Sequence, residues 1–361
     1  MKVLELCYKN YRNLKDGKFI PSDKINVIYG DNAQGKTNLL EAIWIFTGGR
    51  SFRGTKDSDL IKFNEKESRI FLKVLSRERE KDLEIKVSSK KRKVLINSVE
   101  KRSAIELVGK FCSVIFAPNH LMLVKGGPAL RRKFLDTAIC QVTPKYAKFI
   151  SNYNHVLNQR NSLLKDIKKH PELIDTLDIW DDRLAVYGVE IISKRIQYVN
   201  HLKEFSKVFH EGISSKKEIL SLEYENSFKE NMDLTKENFK EGLIKARNTD
   251  IALKCTTFGP HRDDLKILIN KKSAKLFASQ GQQRSAVLAL KLAEAEIFKK
   301  VFNVSPVILL DDVMSELDEK RQDFILNSIS ENQVFITCCE PTSALKLRNG
   351  KSFRVASGEF F

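Results

Sequence analysis

Runs of apolar residues divide the chain into a strand-rich beginning, a helical middle and a second strand-rich part. Short β-prone runs come first, at residues 3–8, 24–29, 69–75, 83–87 and 93–96. Between Pro128 and Tyr187 the chain contains no glycine, and its apolar residues recur at helical spacing. Pro144 and Pro171 are expected to separate this stretch into individual helices. The pattern therefore predicts a helical region over residues 118–212.

Strand signals return after the helical region. We expect strands at residues 220–224, 252–257 and 265–269 and a helix over 282–302. Two fully apolar runs follow, Val307–Leu310 and Val334–Thr337, with a further helix between them. Fully apolar strands separated by helices favour a buried, largely parallel sheet. The predicted fold is α/β with a mixed sheet, in which residues 1–117 and 213–361 form one domain and 118–212 an inserted α-helical lobe.

One segment carries a complete phosphate-binding motif, because residues 30–37 match G-x-x-x-x-G-K-[ST] between a strand and an amphipathic helix. Glycines let backbone N–H groups surround phosphate oxygens at the positive end of a helix. Lys36 can reach the β- and γ-phosphates of ATP, and the Thr37 hydroxyl can ligate Mg²⁺. The alternative is a chance glycine-rich turn, which the complete motif and its flanks argue against. The candidate nucleotide-binding residues are Gly30, Asp31, Asn32, Ala33, Gln34, Gly35, Lys36 and Thr37.

Two acids end the apolar strand at Val307–Leu310. In a phosphate-loop fold this strand lies beside the loop, so Asp311 is a candidate metal ligand together with Thr37. Asp312 is a candidate catalytic residue, with Lys36, because it can orient or deprotonate an attacking water. A pair of acids that caps a helix would explain the same pattern, but the phosphate loop in the same chain favours the functional interpretation.

Composition adds a strong positive charge and an intracellular character. The 361 residues carry a formal net charge of +17. Such a balance favours a polyanionic partner, either nucleic acid or an anionic membrane surface, although interspersed lysines on a solvated surface would also produce it. No apolar run approaches the roughly 20 residues that span a bilayer, and the first residues do not form a secretory signal. The six cysteines are scattered, as expected for reduced thiols in a cytoplasmic protein.

Two basic clusters are candidate contacts for DNA phosphates, namely Lys90–Lys93 and Arg131–Lys133. Solvated charged turns are the alternative for each. No base-reading module is evident, so DNA binding is expected to be sequence-tolerant and sensitive to salt. His261 and Arg262 lie between Gly259-Pro260 and Asp263-Asp264. We expect a tight turn held by local ion pairs there, with a nucleotide-proximal role as the alternative.

Two further segments occur in the order found in ABC-type ATPases. Ser279–Gln283 (Ser-Gln-Gly-Gln-Gln, the signature segment) precedes the predicted helix and the acidic strand, and Ser315–Asp318 follows that strand. The first resembles the LSGGQ signature and the second the SALD-like turn of that class. The resemblance implies that Ser279, Gly281 and Gln282 contact the γ-phosphate of a nucleotide held by a second subunit. A polar loop that caps a helix would explain the signature segment taken alone.

Three other segments resemble the RecF family, a relative of SMC and Rad50 proteins. They are Lys9–Leu14, Phe258–Asp264 and Leu123–Pro128, the last with Arg131–Asp136 after it. The first of them implies that Arg12 and Asn13 contact nucleotide. The fold implied is a phosphate-loop ABC-type ATPase head with an inserted α-helical lobe, and the chain is too short for long coiled-coil arms.

The resemblance to the RecF family implies a role in DNA repair and replication. It implies an ATP- and Mg²⁺-dependent homodimer that binds gapped, single-stranded and duplex DNA without sequence preference. RecO and RecR are the implied partners, RecA an indirect one, and support of the SOS response the implied outcome. Asp312 stands where the class usually has Glu, and Thr337 where transporters have His. We therefore expect a weak, DNA-dependent ATPase.

Two other functions fit a phosphate loop. The first is the nucleotide-binding subunit of a membrane transporter, which the missing histidine, the basic charge and the RecF-like segments argue against. The second is a kinase of a small metabolite, which would need no signature segment.

Overall fold

The computed structural model describes residues 1–89, 91–167, 169–228, 233–340 and 350–361. Within these residues the strands are β1 (Lys2–Lys9), β2 (Gly17–Phe19), β3 (Ile25–Tyr29), β4 (Glu67–Ser76), β5 (Arg79–Ser88), β6 (Arg92–Ile96), β7 (Val99–Glu100), β8 (Ser113–Phe116), β9 (Leu220–Glu225), β10 (Asp264–Ile269), β11 (Lys272–Ser273), β12 (Val307–Asp311), β13 (Val334–Cys338), β14 (Gly350–Ala356) and β15 (Glu359–Phe360). The α-helices of the same residues are α1 (Lys36–Trp44), α2 (Met122–Lys125), α3 (Pro128–Val142), α4 (Pro144–Asp166), α5 (Leu177–Ile213), α6 (Lys236–Leu253), α7 (Ala274–Phe277), α8 (Gln280–Lys300) and α9 (Glu319–Ser328).

The chain forms two compact units. The head unit comprises residues 1–121, 205–219 and 280–361, and the lobe unit comprises residues 122–204 and 220–279. The division differs from the predicted boundaries, because residues 220–279 group with the helical stretch. Within the lobe unit β10 packs against α3, and α6 against α4. The predicted lobe therefore has a small sheet and a further helix beside it.

A mixed sheet carries the phosphate loop of the head unit. Its strand order is β15-β14-β3-β13-β12-β8, with β3 parallel to both of its neighbours and β15 antiparallel to β14. All five residues of β12 and of β13 are buried, as their apolar runs predict, and Asp311 and Thr337 are buried with them. The predicted mixed α/β sheet is confirmed.

A second, antiparallel sheet completes the core of the head unit. Its order is β2-β1-β4-β5-β6-β7. In β4 every second residue is buried, including Ile70, Leu72 and Val74, so one face of the sheet is apolar. That face shares a single core with α1, through Leu39 and Ile43, and with the mixed sheet. The helix that follows the phosphate loop is thereby fixed on both sides.

The lobe unit contains α2, α3, α4, most of α5, α6, α7 and the sheet β11-β10-β9. Pro128 and Pro144 occupy the first positions of α3 and α4, where a missing N–H costs nothing, so both prolines begin helices. Arg160 is fully buried and binds Asp181 and Asp250, each at 2.7 Å. A buried guanidinium needs such partners, and the network fixes α4 against α5 and α6.

One predicted strand is wrong. Residues 252–257 contain the end of α6 and a loop, because Lys254 adopts a left-handed conformation that ends the helix. Thr256 and Thr257 then donate their hydroxyls to Asn161 and Asp250, so these β-branched residues serve side-chain networks rather than a sheet. Strands β8 and β14, which both belong to the mixed sheet, were not predicted from the sequence pattern.

Candidate nucleotide-binding site

The phosphate loop, Gly30–Thr37, joins the end of β3 to the start of α1. Gly30 and Gly35 have φ angles of 149° and 112°, which disfavour any residue with a side chain. A Cβ atom on Gly30 would lie 2.4 Å from the carbonyl oxygen of Val355, and one on Gly35 would lie 2.5 Å from Leu14. Both glycines are therefore required by the backbone and by its close neighbours.

Lys36 is buried and its ammonium lies inside the loop. Its Nζ atom donates to the carbonyl oxygens of Gly30 and Asp31, at 2.6 and 3.2 Å. The positive charge and the N-terminus of α1 thus occupy the same small region. This arrangement suits a phosphate, which can exchange the carbonyl contacts of Lys36 for its own oxygens.

A short hydrogen-bond network links the loop to the acidic strand. Oδ1 of Asp311 accepts from the hydroxyls of Thr37 and Thr337, at 2.8 and 2.9 Å. The amide of Asp312 donates to the same Thr337 hydroxyl at 3.0 Å. Burial raises the pKa of Asp311, and the two hydroxyls oppose that shift. The structure therefore brings together Thr37, Asp311 and Asp312, as the sequence predicts.

These residues fit a magnesium ion better than a metal held by the protein alone. Within the described residues no group of three His, Cys, Asp or Glu side chains is arranged to hold a metal. Mg²⁺ commonly takes one or two protein ligands, several waters and the oxygens of a substrate phosphate. Thr37 and Asp311 would be those protein ligands.

Asn13 lies directly against the loop, whereas Arg12 is engaged elsewhere. Asn13 donates to the carbonyl of Ala33 at 2.9 Å. The Arg12 guanidinium binds the buried carboxylate of Glu41 at 2.8 and 2.9 Å and the hydroxyl of Thr55 at 2.7 Å. In this structure Arg12 therefore braces α1. Glu41 was not predicted as a site residue, although an acid among the apolar residues of α1 was a usable signal.

A turn near residue 358 supports the loop from outside and was also missed. The amide of Ser357 donates to Oε1 of Gln34 at 2.6 Å, and that of Gly358 to the Gln34 carbonyl at 3.1 Å. The carbonyl of Gly358 accepts from Lys15 at 3.0 Å. We call β14, this turn and β15 the supporting hairpin. No local pattern connects these residues with Gln34, so only the topology reveals the contact.

The signature segment lies at the start of α8. Ser279 and Gly281 are exposed, and Gln282 is partly buried. Helix α8 packs on β8, and β8 is three strands away from β3 in the sheet. At about 4.8 Å per strand, that separation is roughly 14 Å. The segment is therefore positioned away from the phosphate loop of its own chain, and its contact with a second subunit stays a prediction.

Two of the predicted DNA contacts are wrong. The Arg131 fork binds both oxygens of Asp264, at 2.7 and 2.8 Å, and its side chain is 9% exposed. Arg92 donates to the carbonyls of Gly49 and Ile45, and its side chain is 11% exposed. Both arginines serve folding rather than a surface. Lys90, in the same predicted turn, lies outside the described residues.

The neighbouring Arg132 is also engaged within the lobe unit. It donates to the carbonyl of Asp263 at 2.7 Å. Of the two predicted basic clusters, Lys91 and Lys133 remain as described candidates for a phosphate contact, because Lys93 pairs with Glu100 at 3.2 Å.

His261 has a structural position in the lobe unit, as expected. Its Nδ1 atom lies 2.8 Å from the Tyr153 hydroxyl and its Nε2 atom 2.9 Å from the carbonyl of Thr256. The expected local ion pairs are wrong, because Asp263 binds Arg195 of α5. Desolvation lowers the pKa of His261 to about 4 and raises that of Asp263 to about 6.

A basic edge on the head unit was not predicted. Alternation along β5 places Glu80 and Asp82 on one face, where Lys73 pairs with both, at 3.5 and 3.4 Å. Arg79 and Lys81 point to the other face. The sequence hides this asymmetry, since acids and bases alternate along the strand.

Lys81 lies near two further cations, Arg77 and Lys110. Its pKa is lowered by burial and by the charges of Lys110, Arg77 and Arg79. Within the described residues none of these four side chains forms an ion pair. We call Arg77, Arg79, Lys81 and Lys110 the basic edge; it is a candidate contact for phosphates.

Comparisons with known proteins agree with this fold. The family model described as RecF/RecN/SMC N terminal domain matches residues 2–355. The DNA replication and repair protein RecF of Ruminiclostridium cellulolyticum is 43% identical over 99% of this chain and 98% of its own. A solved structure of the recombination mediator protein RecF with ATP in the RecFOR pathway is 38% identical, with a TM-score of 0.93, over 100% of this chain and 97% of that one.

A more distant structure shares the fold alone. The Smc head domain of Pyrococcus furiosus, bound to the C-terminal domain of ScpA, is 17% identical with a TM-score of 0.57, over 99% of this chain and 95% of that one. Fold and family model together define an ATPase head of the RecF/RecN/SMC class. Within that class, the chain belongs to the RecF family of DNA replication and repair proteins. We find no bilayer-spanning helix among the residues that the structure describes.

Proposed function

We propose that the chain binds ATP with Mg²⁺ and that two copies close around the nucleotide. The contact that carries the proposal is the 2.8 Å hydrogen bond between Thr37 and Asp311, residues 274 positions apart in the sequence. It joins a complete phosphate loop to an acidic strand in the arrangement that holds Mg²⁺ on the β- and γ-phosphates. The related structure with ATP supports the same ligand.

Each residue of the site then has a defined role. Lys36 and the loop amides bind the phosphates, Thr37 and Asp311 hold the metal, and Asn13 supports the loop. Asp312 orients the attacking water. Ser279, Gly281 and Gln282 of the second copy complete the site at the γ-phosphate, since the start of a helix offers N–H groups and a positive dipole to an anion.

Hydrolysis is expected to be slow. Asp312 is one methylene shorter than the usual glutamate, and its φ of 52° fixes it in an unusual backbone conformation. Thr337 hydrogen-bonds Asp311 in the position where transporters have a histidine that contacts phosphate. ATP would then act as a switch for dimer formation, with turnover as a weak, DNA-stimulated reaction.

The dimer would act on DNA in the cytoplasm. The charge of +17 favours a polyanion, and the family relationship favours gapped DNA and single-strand/duplex junctions. There it would help to place recombinase, together with RecO and RecR, and so support replication, repair and the SOS response. The related structure is a recombination mediator of the RecFOR pathway, which supports this assignment.

Sedimentation velocity tests the switch directly. Wild type, Lys36→Arg and the exposed control Lys66→Arg would be compared with ATP, ADP and no nucleotide, each with and without gapped DNA. We expect wild type and Lys66→Arg to dimerise with ATP only, and Lys36→Arg to stay monomeric. A wild-type monomer under every condition would contradict the proposal.

A further inference from the structure

A partly buried carboxylate contacts the signature segment from behind. Oε1 of Glu218 accepts a hydrogen bond from Nε2 of Gln282 at 2.9 Å. Its other oxygen lies 3.6 Å from Nε2 of His210. The Glu218 side chain is 20% exposed and that of His210 fully buried. The carboxylate therefore joins the last turn of α5 to the first turn of α8, both within the head unit.

The last turn of α5 is itself held firmly. A Cβ atom on Gly212 would lie 2.3 Å from the ring of Phe324, so α9 packs directly on the backbone of α5. Helix α9 begins immediately after Ser315–Asp318, the turn that follows β12 and its two acids. Glu218 therefore lies beside α5, and α5 also contacts the helix that follows Ser315–Asp318.

His210 contacts the Glu218 carboxylate but does not compete with Gln282 for it through a positive charge. Burial lowers the pKa of His210, so its ring is uncharged near neutral pH. Gln282 is then the closer partner of Glu218. A single hydrogen bond removes much of the rotational freedom of a glutamine side chain.

We propose that Glu218 is a positioning residue for the signature segment: it holds Gln282 so that the start of α8 meets the nucleotide bound by a second copy in a fixed geometry. This inference rests on the proposed ATP-dependent dimer. The described contacts of Glu218 are with His210 and Gln282, not with the phosphate loop of its own chain. Its loss should therefore impair the site on the partner copy and leave nucleotide binding by its own phosphate loop intact.

Three substitutions of Glu218 test this prediction first. We expect Glu218→Ala to bind a fluorescent ATP analogue as monomeric wild type does, but to lower ATP turnover roughly tenfold, as the loss of one hydrogen bond of about 1.4 kcal/mol would. Glu218→Gln, which keeps an acceptor for Gln282, should retain most activity. Glu218→Asp, which keeps the charge but not the reach, should behave like Glu218→Ala.

The decisive measurement mixes Glu218→Ala with Lys36→Ala. In that mixture the nucleotide on the Glu218→Ala chain meets an intact signature segment, so turnover per competent site should return to the wild-type value. A chain with both substitutions, mixed with wild type, should not recover, because the bound nucleotide then faces a segment without Glu218.

The outcomes separate the two proposals. A wild-type protein that does not dimerise with ATP would contradict the proposed function. A dimerising wild type with fully active Glu218→Ala and Glu218→Asp would overturn the positioning role alone. So would a Glu218→Ala chain that is inactive but not restored by mixing, since a local folding defect would stay with its own chain.

Discussion

The Thr337 hydroxyl contacts both acids of the candidate site. It donates to Asp311 at 2.9 Å and accepts from the amide of Asp312 at 3.0 Å. Each bond contributes about 1 kcal/mol, and a buried amide left without an acceptor costs more. The residue that stands in place of a transporter histidine thus has a positive role at the end of β12.

Replacing that hydroxyl should uncouple the two acids. We expect Thr337→Val to lower turnover about tenfold, because Asp312 loses its backbone anchor and Asp311 one of its two hydroxyl partners. The pKa of Asp311, already raised by burial, should rise further, so the acid limb of the pH–rate profile should move to higher pH. Thr337→Ser is the matched control and should resemble wild type. An unchanged profile for Thr337→Val would contradict the role.

The pH dependence of the lobe unit should reflect two opposed groups. Folding lowers the pKa of His261 to about 4, so the free energy of unfolding falls, by at most about 3 kcal/mol, as pH falls from 6.5 to 4. Folding raises the pKa of Asp263 to about 6, so its contribution increases as pH falls from 6 to 4.

Without His261, the pH dependence of stability should reflect the Asp263 carboxylate alone. Relative to wild type, His261→Gln should gain stability as pH falls from 6 to 4. Urea unfolding followed by Trp180 fluorescence in a Trp44→Phe background would measure this, with the exposed His155→Gln as control. Parallel pH curves for wild type and His261→Gln would contradict the assignment.

At the scale of elements, the small supporting hairpin determines the geometry of the phosphate loop. Its turn hydrogen-bonds both the side chain and the backbone of Gln34, and Val355 of β14 closes on Gly30. The phosphate loop is therefore enclosed between α1 and the supporting hairpin. The geometry of the loop depends on this contact.

A single methyl group on the hairpin should disturb ATP binding. Gly358 has φ of 76°, and a Cβ atom there would lie 2.3 Å from the carbonyl oxygen of Asn13. We expect Gly358→Ala to weaken ATP binding roughly tenfold, through displacement of the turn from Gln34. Gly54→Ala is a close control, since Gly54 has φ of 78° but open space around it. Equal ATP affinities of the two variants, measured by calorimetry, would contradict the idea.

The sequence alone was sufficient to predict the phosphate loop but not the residues that surround it in the fold. The phosphate loop and the apolar β12 and β13 were predicted because their patterns are short and contiguous. Glu41, Glu218 and the supporting hairpin were not, because each acts on a residue that only the fold brings near. The strand predicted at residues 252–257 failed because side-chain partners of Thr256 and Thr257 outweighed their β propensity.

Across the whole molecule, only some of the cations behind the net charge of +17 are free to contact DNA. Arg92, Arg131 and Arg160 are engaged in internal contacts. The basic edge, in contrast, collects cations that repel one another and have no acidic partner within the described residues. A phosphate backbone would relieve that repulsion.

Neutralising part of the basic edge should change the salt dependence of DNA binding. We expect the double variant Arg77→Gln, Arg79→Gln to reduce the slope of log K against log salt by about 2, or roughly 0.9 for each DNA phosphate that is no longer neutralised. Lys203→Gln with Lys207→Gln, on exposed lysines of α5, is the control and should leave the slope unchanged. Fluorescence anisotropy with gapped DNA between low and moderate salt would measure both.

The contact between Gln34 and Ser357 also determines when the nucleotide site can be completed during folding. The two residues are 323 positions apart, so a ribosome that has made the phosphate loop must add more than three hundred residues before the supporting hairpin can form. At about 5–20 residues per second, that interval lasts tens of seconds. During it, β3 also lacks both neighbours of the finished sheet. ATP would thus bind fully only after the last step of folding, and chaperones would meet this chain with its nucleotide site still open.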